Sequence, residues 1–124
     1  MIKVERIVNS IYQSNSYILY CKEHDEAWLI DVGDAKRIEE WLSCHNLRLK
    51  SVLLTHTHYD HIYGLNEVYQ LYPDITVYTS PEGRESLYDE KWNLSKYHRT
   101  PFKYVGSNVA ELQEGDKIEC WPDV

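Results

Sequence analysis

The 124-residue sequence predicts an α/β fold built on a mixed β-sheet. Its first third contains three short apolar segments with the character of strands, arranged as a meander or hairpin. A helical segment and a fourth strand come next, and a strand, helix and strand in succession imply a parallel pair with a right-handed crossover. The fourth strand ends in Val52, Leu53 and Leu54. Apolar residues at successive positions are typical of a strand covered on both faces.

Each element is predicted from a local pattern. Residues 2–8 alternate apolar and charged side chains, residues 16–21 are rich in Tyr and Ile, and residues 26–32 form an apolar run. Asp34 is a suitable N-cap for a helix, and Pro81 occupies the first position of a later helix. The predicted strands are 2–8, 16–21, 26–32, 47–55, 75–78 and 108–112; the predicted helices are 35–45, 64–72 and 80–89, with 92–98 forming a helix or a loop.

Length, charge and cysteine content restrict the class of protein. The length is that of one ordinary domain, so we expect residues 1–124 to form a single domain. A formal net charge of -7 argues against nucleic acid as a partner and favours a small-molecule substrate. The three cysteines lack close pairs or CxxC spacing, which indicates reduced thiols rather than disulfides or a zinc ribbon.

The location is predicted from two absences in the sequence. The first six residues carry charges where a signal peptide needs an apolar core. No uncharged apolar run approaches the length that spans a membrane. We therefore expect a soluble, cytoplasmic protein without membrane contact.

Four candidate metal ligands lie within six positions directly after the buried fourth strand: His56, His58, Asp60 and His61. In extended chain, side chains two apart point the same way, so His56 and His58 can bind one ion. Asp60 and His61 follow where the chain turns and can bind a second ion, in a ligand set that suits zinc, iron or manganese. Two ions about 3.5–4 Å apart can activate a water to hydroxide near neutral pH, which predicts hydrolysis.

A packing role is the competing interpretation for any single histidine, and we favour it for His24, His45 and His98. The cluster differs, because three imidazoles and a carboxylate crowded at a strand end would lower stability unless a metal compensated. Tyr59 and Tyr63 can line a substrate pocket, although packing is the preferred role. Lys96 and Arg99 can bind an anionic group, but a solvated surface is preferred.

These motifs resemble those of one family. Residues 55–61 are similar to the HxHxDH signature of the metallo-β-lactamase fold superfamily, residues 29–33 to its strand ending in Asp-x-Gly, and residues 15–17 to its early Asn-x-Tyr strand. Residues 80–82 and 93–95 are similar to segments of the hydroxyacylglutathione hydrolase branch. The resemblance implies the first half of an αββα sandwich, a mixed sheet with helices on one face.

The resemblance also implies roles for the site residues. His56, His58, Asp60 and His61 would be metal ligands, and Asp60 would also orient the attacking hydroxide as a catalytic residue. Asp31 would orient the imidazoles from outside the ligand shell; its alternative role is a turn or helix-capping residue. The implied cofactor is zinc, two ions in the family, with iron or manganese as alternatives. The implied reaction is attack of metal-bound hydroxide on a thioester, ester, lactone or amide carbonyl, with phosphodiester cleavage less favoured.

The sequence departs from the family pattern after the turn at Gly115 and Asp116. In the family, a third histidine, a bridging aspartate and a last histidine follow such a turn, and this sequence contains no counterpart. We therefore expect one ion to lack one ligand and the other to lack two, so that this chain, apparently truncated, is incomplete as an enzyme. The alternative is a non-catalytic module that self-associates and binds metal weakly or not at all.

Self-association is predicted from the strand at residues 26–32. It carries Trp28, Ile30 and Val32 on one side and Ala27 and Leu29 on the other, so both faces need cover. Helices on one face leave the other bare, and a large apolar patch marks an interface or an aggregation site. We expect a homo-oligomer that forms through this uncovered sheet face.

Overall fold

A computed structural model describes residues 1–97 and 101–122. Its centre is one six-stranded sheet in which the strands lie side by side in chain order. The strands are β1 (Lys3–Val8), β2 (Asn15–Tyr20), β3 (Glu26–Ile30), β4 (Arg48–Leu53), β5 (Thr76–Thr79) and β6 (Val109–Glu111). The helices are α1 (Ala35–Cys44), α2 (Leu65–Leu71) and α3 (Pro81–Leu87), with 3₁₀ turns at Tyr59–His61 and Ser95–Tyr97.

The sheet is mixed, which confirms the predicted fold class. β1, β2 and β3 pair antiparallel, whereas β3, β4, β5 and β6 pair parallel. Each connection between parallel strands contains one of the helices, and the antiparallel strands are joined by short turns. Functional groups placed after β3 and β4 therefore lie together at one edge of the sheet, because parallel strands end at the same side.

All three helices contribute to one core, on one face of the sheet. α1 buries Ile38 and Leu42, α2 buries Val68 and α3 buries Leu87. They pack against the alternate strand residues that point to this side, namely Ile18, Ala27, Leu29, Val52 and Val77. The placement of helices on one face, expected from the family resemblance, is confirmed.

The prediction for Val32 was wrong. The sequence placed Val32 on the same side as Trp28 and Ile30, but Val32 is fully buried in the helix-side core. β3 ends at Ile30, and Asp31 adopts a left-handed backbone with φ of 61°. This turn breaks the two-residue alternation, so the next side chain points to the opposite face.

The second face of the sheet carries a smaller cluster around Trp28. Trp121 packs on it, and two reciprocal bonds fix the pair: Trp28 Nε1 donates to the Cys120 carbonyl at 3.0 Å and Trp121 Nε1 to the Glu26 carbonyl at 2.9 Å. The chain therefore covers part of the face that the sequence predicted to be bare. A neighbouring row of partly exposed side chains runs across this face, formed by Tyr17, Ile30, Leu53 and Tyr78.

Within the described ranges, the helices are all too short or too polar to cross a membrane.

Candidate metal centre

The candidate site lies where β3 and β4 end. Asp31 follows β3 directly, and the segment after β4 leads into the 3₁₀ turn Tyr59–His61. Two backbone hydrogen bonds join these segments: the Asp31 N–H donates to the Leu53 carbonyl, and the Val32 N–H donates to the His61 carbonyl, both at 2.9 Å. The turn after β3 and the predicted ligand segment are thus held as one unit.

Three of the four predicted ligands converge. The ligand atoms of His56, Asp60 and His61 all lie within 4.8 Å of one another. The ring centroids of His56 and His61 are 3.9 Å apart, and His61 Nε2 lies 3.3 Å from Asp60 Oδ2. Two imidazoles and one carboxylate at this spacing form a donor set suited to a divalent transition metal.

His58 lies beside this group and not within it. Its ring centroid is 5.1 Å from that of His56, and the two rings are nearly perpendicular at 87°. The sequence paired His56 with His58, whereas the structure brings His56 to Asp60 and His61, because the 3₁₀ turn carries these two back toward the strand end. The role of His58 as a ligand stays a prediction.

Asp31 is the buried anchor of the site. Its Oδ1 accepts the Thr55 N–H at 2.8 Å, and its Oδ2 accepts the Thr55 hydroxyl at 2.5 Å and lies 2.8 Å from His61 Nδ1. The residue is 3% exposed. Its left-handed backbone is one that aspartate tolerates better than most residues. Asp31 therefore combines the two roles that the sequence offered as alternatives, a turn residue and a support for an imidazole.

The contacts of His61 test whether a cation fits. A neutral imidazole has one N–H, and Nδ1 uses it to donate to the Asp31 carboxylate. The lone pair on Nε2 then faces the Asp60 oxygen 3.3 Å away. Two acceptors attract each other only through a shared proton or a shared cation, so the residues present fit a metal ion.

The charge state of His56 also suits a ligand. Partial burial, followed by the neighbouring His61, lowers the pKa of His56 below its usual value, although Asp31 and Asp60 oppose the shift. A lowered pKa favours the neutral imidazole, which is the form that binds metals.

The loop between β1 and β2 supports the site through contacts that the sequence analysis missed. The Ser14 hydroxyl donates to the Asp60 carbonyl at 2.7 Å. The Asn9 amide donates to the Ser16 hydroxyl at 2.9 Å and accepts the Asp34 N–H at 2.9 Å. Small polar residues on either side of a predicted strand start were the available signal, but they are also common in ordinary turns.

The predicted cap at Asp34 requires a correction. Asp34 occupies the N-cap position of α1, but its side chain makes no capping bond. Instead its carboxylate accepts the Ser10 N–H at 2.9 Å, the Ser10 hydroxyl at 2.8 Å and the Tyr63 hydroxyl. Asp34 therefore accepts hydrogen bonds from Ser10 and Tyr63 instead of from the first backbone N–H groups of α1. These bonds connect the β1–β2 loop to the site.

Tyr59 and Tyr63 line a cavity of about 380 Å³ next to the 3₁₀ turn, together with Phe102. Burial and the bond to Asp34 raise the pKa of Tyr63 to about 12. Tyr63 thus both contacts the cavity and holds Asp34.

The other residues singled out from the sequence lie away from the group. His24 stacks on Trp121 with centroids 6.1 Å apart, and His45 stacks on Trp41 at 3.8 Å, which are packing contacts. Lys96 is exposed. The predictions for His98 and Arg99 concern positions outside the described residues.

Comparisons with known proteins place this geometry in a family. The model of the metallo-beta-lactamase superfamily matches residues 10–123. The hydroxyacylglutathione hydrolase of Vibrio campbellii is 34% identical over 112 residues, covering 90% of this chain and 36% of that protein. The corresponding enzyme of Hahella chejuensis is 38% identical over 97 residues, covering 78% of this chain and 30% of that protein. The chain thus spans about a third of the length of these curated relatives.

Solved structures give the same result for the fold. The crystal structure of the B3 metallo-beta-lactamase BLEG-1 superposes with a TM-score of 0.78 at 30% identity, covering 95% of this chain and 56% of that one. The structure of TTHA1623 in a di-iron-bound form gives a TM-score of 0.75 at 24% identity, covering 93% and 57%. The family match spans nearly the whole chain and includes the His56 to His61 segment. The chain therefore belongs to the metallo-beta-lactamase superfamily, and within it is similar to the hydroxyacylglutathione hydrolases.

Proposed function

We propose that this chain carries part of a hydrolytic metal centre that acts on a thioester, ester or lactone carbonyl. The observation that carries the proposal is the convergence of His56, Asp60 and His61, with Asp31 behind His61. Similarity to hydroxyacylglutathione hydrolases, whose name denotes a thioester substrate, favours a thioester within this class.

The residues have distinct roles in this proposal. His56 and His61 bind the ion through their Nε2 atoms, and Asp60 binds it through a carboxylate oxygen. His58 is a further ligand whose ring lies next to that of His56. Asp31 holds the Nδ1 proton of His61 and so keeps Nε2 free to bind. When bound, the ion lowers the pKa of a water and polarises the substrate carbonyl.

Asp60 is placed to act on the nucleophile as well as on the ion. Its carboxylate is about three-quarters buried, and one oxygen faces His61. The second oxygen can accept a hydrogen bond from the attacking water and so orient its lone pair toward the carbonyl carbon.

We propose zinc as the metal, because a nitrogen-rich set with one carboxylate suits zinc. Iron and manganese fit the same ligands, and the di-iron form of TTHA1623 shows iron in a relative with this fold. Elemental analysis of the purified chain tests this assignment directly.

The function is tested with a substrate panel. Thioester, lactone and phosphodiester substrates are supplied to the metal-loaded chain, with Asp60→Asn and His61→Ala as variants and His24→Ala as a matched histidine control. We expect metal-dependent thioester hydrolysis that is slow, because this chain is proposed to carry only part of the ligand set, and that both site variants abolish and His24→Ala preserves. Hydrolysis of the phosphodiester alone would contradict the substrate class. A wild type that neither takes up metal nor hydrolyses any substrate would contradict the proposal and favour a non-catalytic module.

A further inference from the structure

Thr55 connects the buried Asp31 to the second imidazole of the site. Its hydroxyl lies 2.5 Å from Asp31 Oδ2 and 3.2 Å from His56 Nδ1. Its backbone N–H also donates to Asp31 Oδ1 at 2.8 Å, so the residue is held at two points on one carboxylate. The hydroxyl thus lies between a carboxylate and an imidazole.

Counting protons fixes the direction of these bonds. A threonine hydroxyl has one proton to donate. The Asp31 carboxylate is charged and lies closer than the imidazole, so it is the stronger acceptor. The hydroxyl oxygen can then only accept from His56, so His56 Nδ1 must carry its proton. The lone pair of a neutral His56 is consequently on Nε2.

The same carboxylate sets the other imidazole directly. His61 Nδ1 lies 2.8 Å from Asp31 Oδ2 and donates its proton there, which also leaves the lone pair on Nε2. One buried aspartate therefore fixes the tautomers of two histidines, His61 by contact and His56 through Thr55. Both Nε2 lone pairs are available on the rings that approach each other to 3.9 Å.

We infer that Thr55 is a positioning residue that holds His56 as the Nδ1–H tautomer, with Nε2 ready to bind a metal ion. The inference rests on the proposed metal centre for its consequence, but the tautomer itself is a property of the metal-free chain. Without the hydroxyl, His56 loses its acceptor at Nδ1, and its two neutral tautomers become closer in population.

The first test measures the tautomer. Imidazole nitrogen chemical shifts are recorded by NMR for the metal-free wild type, Thr55→Val and Thr55→Ser, at alkaline pH where imidazoles are neutral. We expect His56 in the wild type and in Thr55→Ser as the Nδ1–H form, and a mixture in Thr55→Val. A wild-type His56 in the Nε2–H form overturns the inference, and this result needs no variant to fold.

The second test measures zinc affinity by calorimetric titration of the same proteins. Removal of a residue that orients a ligand lowers affinity by about 10- to 100-fold, so we expect this loss in Thr55→Val and its recovery in Thr55→Ser. Thr79→Val is the matched control, since it removes a buried hydroxyl on β5 that lies against Gly83 of α3. Unchanged affinity in Thr55→Val, or no recovery in Thr55→Ser, overturns the inference.

The two proposals fail differently. If the wild type binds no zinc but shows the Nδ1–H form of His56, the metal centre fails and the assignment of Thr55 stands. If zinc binds and His56 is in the Nε2–H form, the metal centre stands and the role of Thr55 fails.

Discussion

Asp31 has a backbone requirement and a side-chain requirement at the same position. The backbone is left-handed, and the carboxylate receives two contacts from Thr55 and one from His61. An alanine substitution would change both properties, whereas asparagine tolerates a left-handed backbone nearly as well as aspartate. Asp31→Asn therefore isolates the contribution of the charge.

We expect Asp31→Asn to lower zinc affinity about 10- to 100-fold, because His61 loses the anionic acceptor that orients its ring. Calorimetric titration measures this change. Asp25→Asn is the control, since Asp25 is an exposed carboxylate paired with Arg48 at 3.3 Å. Wild-type affinity in Asp31→Asn would show that the carboxylate does not support the site.

Asp34 makes a pH-dependent contribution to stability. Burial alone would raise the pKa of Asp34, but hydrogen bonds from Tyr63 and Ser10 and the charge of Arg37 outweigh burial and hold the pKa below its usual value. A group with a lowered folded pKa stabilises the fold fully above its unfolded pKa, here about 3.8, and loses that contribution as pH falls through the folded pKa.

We expect Tyr63→Phe to move acid unfolding to higher pH, because it removes a donor to the ionised Asp34 and raises the folded pKa. Circular dichroism during acid titration gives the midpoint. Tyr72→Phe is the control, since burial rather than a bond to Asp34 raises the pKa of Tyr72. An acid midpoint in Tyr63→Phe equal to that of the wild type would contradict this account.

At the scale of elements, α2 and the turn after β3 approach each other closely at two glycines. A Cβ on Gly64 would lie 2.0 Å from the Gly33 carbonyl oxygen and 3.1 Å from the Ala35 nitrogen. Both are backbone atoms, which cannot rotate away. The approach lets the Gly64 N–H donate to the Val32 carbonyl at 3.3 Å and places α2 beside the segment of candidate metal ligands.

We expect Gly64→Ala to destabilise the fold by about 1–3 kcal/mol, as for other substitutions that overfill a packed contact. Urea denaturation measures the free energy of unfolding. Gln70→Ala on the exposed side of the same helix should change it by less than about 0.5 kcal/mol. A Gly64→Ala protein as stable as the Gln70→Ala protein would show that the two segments can move apart without lowering the free energy of unfolding.

The sequence predicted the elements well and their side-chain assignments less well. Alternation and apolar runs located all six strands within two residues at every end, because those patterns directly reflect burial. The predictions for Val32 and Asp34 failed because the direction of each side chain depends on a feature that a sequence pattern does not contain. For Val32 this feature is a local turn, and for Asp34 it is a partner distant in sequence. The left-handed Asp31 redirects Val32, and Ser10, 24 residues away in sequence, takes the Asp34 side chain.

The candidate site was predictable to a similar extent. The candidate ligands could be named from spacing alone, since four donors in six residues have few other uses. Their grouping was not, because the two-residue period applies only while the chain is extended, and the 3₁₀ turn at Tyr59 ends that period. The contacts from Ser14 and Thr55 depend on three-dimensional proximity and on proton counting, which a sequence pattern does not contain.

At the scale of the whole molecule, the second sheet face remains partly open. Trp121 covers Trp28, while Val4 at the β1 edge is 58% exposed on the same face. We expect this apolar face to drive self-association, as apolar patches do. Sedimentation velocity over a concentration series measures the oligomer. A monodisperse monomer at every concentration would contradict the prediction.

Two matched variants identify the surface. Val4→Lys places a charge on the open face, and Leu71→Lys places one on α2, where the leucine is similarly exposed at 52%. We expect Val4→Lys to weaken association and Leu71→Lys to leave it unchanged. Equal effects of the two charges would indicate nonspecific repulsion rather than an interface at the sheet.

We propose that His56, Asp60 and His61 bind a metal ion with Asp31 behind them. Calorimetric titration of the metal-free chain with zinc, beside Asp60→Asn and His24→Ala, tests it most directly. We expect saturable binding to the wild type and to His24→Ala, and strongly weakened binding to Asp60→Asn. No saturable binding to a folded wild type, or equal binding to Asp60→Asn, would contradict the claim.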